Sequence, residues 1–167
     1  PPDNLRPLPA RNIDTGMGLE RLASVMEGKQ SNFETDLFDP IVKEIRKRIT
    51  VKTSSENEFV YAVADHIRAV VFCIYDGVHP SNNGRGYVVR KIIRKSILHL
   101  RTLGINEPFV YKLVPLVAQI MRKPYPELTE RQGDMAQEIL IEESRFVNTL
   151  NDAPGIYKKV FEKYHPF

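Results

Sequence analysis

The 167 residues contain no tryptophan and a single cysteine, Cys73. One thiol forms no intramolecular disulfide and cannot build a multi-thiolate metal centre, so a reducing, cytoplasmic setting is expected and a metal site is not. His66 and Cys73, seven residues apart, are too few ligands for zinc, and Cys73 reads as a small core residue. No apolar run approaches the eighteen residues that a membrane span needs, and PPDNLRPLPA has no basic region leading into an apolar core. No membrane partner is expected. The chain opens on Pro1 instead of Met, which suggests a piece of a longer protein. A net charge of only +3 excludes a polycation that coats nucleic acid indiscriminately, so an anionic partner has to be met by a local patch.

What is present suits one helical domain. Hydrophobic residues make up 42% of the chain, enough for a sizeable core. Four prolines in residues 1–10 exclude a helix there, and ARNID at 10–14 is expected to form a short strand. Beyond it almost nothing alternates at period two. Leu19, Leu22, Val25 and Met26 repeat at helical spacing and stop at Gly28. Leu37, Ile41, Ile45 and Ile49 predict a second helix with Pro40 in its first turn. Ser54, Ser55 and Asn57 are candidate caps for a central buried helix over 57–76, marked by Phe59, Val60, Val63, Ile67, Val70, Val71 and Ile74. Val88, Val89, Ile92, Ile93, Ile97 and Leu100 carry a further helix to Gly104. Pro115 should kink or split one over 108–121. After a turn at 123–127, Leu128, Met135, Ile139, Phe146 and Leu150 mark a long acid-rich helix. The fold class is all-α, a helical bundle preceded by a strand remnant.

The stretch GVHPSNNGRGYVVRKIIRK, residues 77–95, joins a polar loop to concentrated positive charge. Arg85, Arg90, Lys91, Arg94, Lys95 and Arg101 meet no Asp or Glu between residues 85 and 101. Like charges at four-residue spacing repel on a helix, so this face calls for an anion. Two destinations stay open: a phosphate track, or the acidic residues Glu127, Glu130, Asp134, Glu138, Glu142 and Glu143 of the last helix. In the loop, Asn82 belongs to a residue type that reads base edges, while Arg and Lys hold the sugar-phosphate backbone. Tyr87 either stacks or packs.

DTGMGLER, residues 14–21, places two glycines before a helix whose first turns carry Glu20 and Arg21. Glycine lets a ligand approach the backbone, and Arg holds phosphate bidentately. With its continuation, IDTGMGLERLASVMEGKQSNFETDLFDPIV, it resembles motif 3 of the class II aminoacyl-tRNA synthetases, in particular the alanyl-tRNA synthetase family. ADHIRAVVFCIYDGVHPSNNGRGYVVRKIIRK and EILIEESRFVNTL extend the resemblance over most of residues 12–150, in the family's order.

The resemblance implies that residues 1–28 close an aminoacylation domain and that 29–167 form a helical tRNA-recognition domain. It implies ATP contacts for Arg21 and Gly18, and an alanine pocket bordered by Asp14 and Gly16. Asn82 would read the G·U wobble pair of the tRNA(Ala) acceptor stem, with Arg85, Arg90, Lys91, Arg94 and Lys95 on neighbouring phosphates. The implied activity is ATP-dependent ligation of alanine to tRNA, with magnesium in the full-length enzyme and the family's zinc outside this chain. Motifs 1 and 2, the editing domain and the family's second, acidic reader of the wobble pair are not found. The chain alone is therefore expected to be inactive, with the remainder of the synthetase as its partner. The other reading is a stand-alone basic helical adaptor for an acidic protein. His66 and Arg68 in ADHIRA read as a hydrogen-bonded structural pair.

Overall fold

The computed structural model describes residues 9, 10, 12 and 15–152. Six α-helices, with no strand, make up the regular structure among these residues apart from two short 3-10 turns: α1 Leu19–Met26, α2 Asp39–Arg46, α3 Glu56–Tyr75, α4 Gly84–Thr102, α5 Val114–Met121 and α6 Glu127–Asp152. The strand expected over 10–14 falls mostly outside the described residues, and Ala10 and Asn12 are not in one.

Local chemistry accounts for most of the helix limits. α1 stops before Gly28, whose φ of 65° ends the helix as expected. Pro40 sits in the first turn of α2, where its missing N–H costs nothing, and Lys43 and Arg46 in the last turn complement the helix dipole. The expected split at Pro115 is seen: Val110–Leu113 form a 3-10 turn, and a new helix starts at Val114. α3 ends on Gly77 (φ 82°), with Val78 N donating to Cys73 O at 2.8 Å and Gly77 N to Ile74 O at 3.0 Å. That double closure requires the left-handed backbone that glycine adopts freely, and it turns the chain sharply into the 78–83 loop.

The core runs between α3 and α4 and is closed by α2, α5 and α6. Val60, Val63, Ile67, Val70, Val71 and Ile74 of α3 are buried, as are Val89, Ile93, Ile97 and Leu100 of α4. α6 contributes Leu128, Met135, Ile139, Phe146 and Leu150, the set that its period indicated. Two side chains fix how α3 and α4 lie together. His66 Nδ1 is 3.1 Å from Ser96 Oγ, and Ser96 also donates to Ile92 O at 3.0 Å. Burial first, and then Lys95, push the His66 imidazole below its ordinary pKa, against the opposing pull of Asp65.

Several expectations need correction. Of the four residues expected to mark the second helix, Leu37 and Ile49 lie outside α2, which spans only Asp39–Arg46. Ser55 occupies the N-cap of α3 without a side-chain hydrogen bond, and Asn57 lies inside the helix, where its Oδ1 accepts from Arg46 at 2.7 Å. Val88, placed on the apolar stripe of α4, is 54% exposed, because the helix buries a narrower face than its composition suggests. Most of all, α1 buries no residue: Leu19, Leu22, Val25 and Met26 form the expected apolar face, and all four are exposed.

Glu143 of α6 is buried and ties the 3-10 turn to the body. Its Oε1 accepts from Phe109 N at 2.7 Å and Val110 N at 2.8 Å, and its Oε2 from Tyr111 N at 3.2 Å. Those amides are the unpaired N–H groups at a helix start, satisfied here by an acid 32 to 34 residues away. Burial pushes the Glu143 carboxyl up in pKa, while the three amides pull it down.

Candidate nucleic-acid interface

The 78–83 loop is held from three sides. Ser81 N donates to Gly86 O at 3.0 Å, and Ser81 Oγ to Asn83 O at 2.9 Å, folding the loop back on the first turn of α4. Gly86 is buried beneath it: a Cβ there would lie 2.2 Å from His79 O and 2.3 Å from Ser81 Oγ. Only glycine lets backbone pass backbone at that distance. On the far side, the His79 ring nitrogen Nδ1 is 2.9 Å from Glu138 on α6.

Asn82 is exposed at the tip, and its Oδ1 accepts a hydrogen bond from Arg90 Nη1. Arg90 Nε lies 3.2 Å from Glu142 Oε2, and Arg94 Nε donates to Glu142 Oε1 at 2.8 Å. The Glu142 side chain is only 4% exposed. A carboxylate so far out of water is costly unless paired, and here two guanidiniums share it. The Arg94 guanidinium also lies over the Phe146 ring, 4.9 Å from its centroid.

The six basic residues therefore divide. Arg90 and Arg94 meet an acid of α6, one of the two destinations left open by the sequence. Arg101 Nη1 donates to Asn151 Oδ1 at 2.9 Å. Arg85 and Lys91 are exposed and Lys95 is half-buried. Lys91 and Lys95 rim a groove of about 140 Å³ whose floor includes Tyr87, Leu98 and Phe146. A basic rim over a partly aromatic floor can take an anionic strand with an unstacked base.

A second cleft, of about 510 Å³, lies between α1 and α3 and includes Gly18, Glu20, Arg21, Asn32, Asp65 and Arg68 in its walls. Gly18 is the N-cap of α1, Gly16 and Arg21 are exposed, and Asp14 lies outside the described residues. Arg68 Nη2 donates to Glu20 Oε1 at 2.7 Å, and that bond holds the Glu20 carboxyl below its usual range. The Arg68 guanidinium stacks over Phe38 at 4.3 Å, and its Nε and Nη1 are buried without a hydrogen-bond partner. Buried cationic donors beside an exposed Arg suit a phosphate group. His66 and Arg68 do not form the expected pair: His66 bonds to Ser96 of α4 and Arg68 to Glu20 of α1, since residues two apart on a helix point away from each other.

The sequence offers the acidic segment as a destination for the basic face, but it does not single out Glu142 and Glu138 within that segment. His79 and Gly86 were missed. The only trace of Gly86 in the sequence is the second glycine of Gly-Arg-Gly, which spacing alone does not distinguish from a turn residue. Among the described residues, no three His, Cys, Asp or Glu side chains converge as metal ligands would, and no helix is long and apolar enough to cross a membrane.

Residues 2–165 match the model of the family described as tRNA synthetases class II (A). The chain is 49% identical over 166 residues to a protein of Oceanobacillus iheyensis named alanine–tRNA ligase, covering 98% of this chain and 19% of that protein. Proteins of the same name from Listeria monocytogenes (48% over 166 residues) and Thermotoga maritima (46% over 162) are covered to 19% as well, by 97% and 95% of this chain. The chain thus spans about a fifth of the length of these relatives.

Proposed function

Because the chain belongs to the class II (A) tRNA synthetase family, we propose that it serves an alanine–tRNA ligase, gripping the acceptor stem of tRNA(Ala) and bordering the pocket for ATP and alanine. Residues 29–167 are the recognition domain, and residues 1–28 close the aminoacylation domain. The observation that carries this reading is the presentation of Asn82. It stands exposed on a loop held by Gly86 and Glu138, with Arg85 and Lys91 exposed on the helix that follows. Asn82 reads the wobble pair, while Arg85, Lys91 and Lys95 hold phosphates. Arg94, 41% exposed although paired, adds charge at the groove.

At the other cleft, Arg21 and the N-terminus of α1 at Gly18 hold ATP phosphate, and Asp14 and Gly16 border alanine. Magnesium, when bound with ATP, neutralises phosphate charge. The residues of this chain orient the nucleotide, and Glu20 is kept ionised and in place by Arg68.

The reading is tested in the full-length protein with two acceptor-stem minihelices, one carrying G·U and the other G·C. Asn82→Ala should lose discrimination by on the order of tenfold, while total affinity changes less. Lys91→Ala should weaken both minihelices alike and flatten the salt dependence. Equal losses on both stems for Asn82→Ala overturn the base-reading role. Alanine-dependent pyrophosphate exchange by the 167-residue chain alone overturns its assignment as one part of a larger catalytic unit.

A further inference from the structure

We propose that Glu142, a buried acid on α6, sets the RNA specificity of the loop through Arg90: both are positioning residues for Asn82, and Arg90 acts on that side chain instead of on a phosphate. The proposal rests on the reading of Asn82 given above.

Arg90 is the more buried of the two arginines beside Glu142, its side chain 17% exposed against 41% for Arg94; Arg94 Nε makes the hydrogen bond, while Arg90 Nε meets the carboxylate as an ion pair. A guanidinium carries donors only, so it takes the oxygen of the Asn82 carboxamide and leaves the NH2 group facing outward. The amide is thereby given one orientation. Without Arg90 it could turn over and exchange donor for acceptor, since the two ends are nearly alike in shape. Glu142 pairs with Arg90 in turn, its carboxylate 3.2 Å from the Arg90 Nε, on a helix that begins 43 residues after the first residue of α4. The loop backbone is fixed independently by Gly86 and by His79 with Glu138. Backbone and side-chain orientation are thus set by separate contacts, so one can be removed while the other is kept.

A sign distinguishes this role from a general electrostatic one. Glu142→Gln removes a negative charge beside the basic face, which by itself strengthens binding to any RNA. If Glu142 positions the reader, the same change lowers discrimination. Affinity and specificity should therefore move in opposite directions.

The experiment uses the full-length protein, the G·U and G·C minihelices, binding by fluorescence anisotropy, and alanylation kcat/KM on both. Circular dichroism checks folding. Glu142→Gln should hold or raise affinity for the G·C minihelix and reduce the G·U preference on the order of tenfold, the share attributed to an oriented polar contact. Combined with Asn82→Ala it should add no further loss. Arg90→Lys keeps the charge but lacks the guanidinium fork, and should reproduce the loss of preference if Glu142→Gln does not fold. Wild-type discrimination in a folded Glu142→Gln, or in Arg90→Lys when Glu142→Gln is unfolded, overturns the positioning role and leaves Asn82 as reader. Unchanged discrimination in Asn82→Ala overturns both.

Discussion

α1 and α4 each lie in a stretch that resembles the family, yet the two helices are supported in opposite ways. α4 buries Gly86, Val89, Ile93 and five consecutive residues from Ser96 to Leu100, while α1 buries nothing. The loop before α4 is tied to α6 by His79 and to its own helix by Ser81, whereas among the described residues α1 is tied to α3 by the ion pair Glu20–Arg68. Both helices carry proposed site residues, but only α4 is packed into the described bundle. A reader of base edges must be preorganised, and a packed helix supplies that. Arg21, proposed to hold phosphate, stands on an eight-residue helix that has no such support among the described residues.

The contrast can be broken at several points. The largest effect is expected at Glu143: Glu143→Ala orphans three amides, two of them buried, and should destabilise the chain by about 4 kcal/mol in urea unfolding. Glu143→Gln, which keeps one acceptor oxygen, should recover part of the loss. Ile93→Ala follows at about 3 kcal/mol, the cost of a cavity between α3 and α4.

A smaller, pH-dependent effect belongs to His66. Its folded-state pKa is depressed, so the unfolded chain binds the proton more readily, and the contribution is complete above the unfolded value of about 6.5. Stability should fall as the pH drops below that value, and fall less steeply in His66→Gln. Identical slopes from pH 8 to pH 5.5 in the two proteins would remove His66 from the account.

The smallest effect is expected on α1. Val25→Ala, at a side chain 76% exposed, should shift stability by no more than about 0.5 kcal/mol. A loss comparable to that of Ile93→Ala would erase the distinction between the two helices.

Much of the fold was legible because its signals are local. Ile67, Ile93 and Met135 fall on buried faces at the spacing that a 3.6-residue period dictates, and Pro40, Pro115 and Gly28 mark helix limits through backbone geometry that needs no distant partner. The exposure of α1 was not legible. Leu19, Leu22, Val25 and Met26 have the pattern of a buried face, and a pattern records that a face is apolar without saying what covers it. The site followed the same division. Asn82 and the basic residues could be named from type and family order, but their partners could not, because Glu142 is reached only when α4 and α6 cross.

By itself, then, the sequence determined where the helices of this chain lie, which faces they bury within the bundle and which family's motifs they carry. All three are written in residues a few positions apart. Tertiary structure alone decided how six like charges are used. Packing α6 against α4 brings one acid, 48 positions beyond Arg94, within 2.8 Å of it and 3.2 Å of Arg90. At such distances in a buried setting Coulomb attraction outweighs the repulsion that spacing along one helix had suggested. Arg90 also donates to Asn82, while Arg85 and Lys91 are exposed.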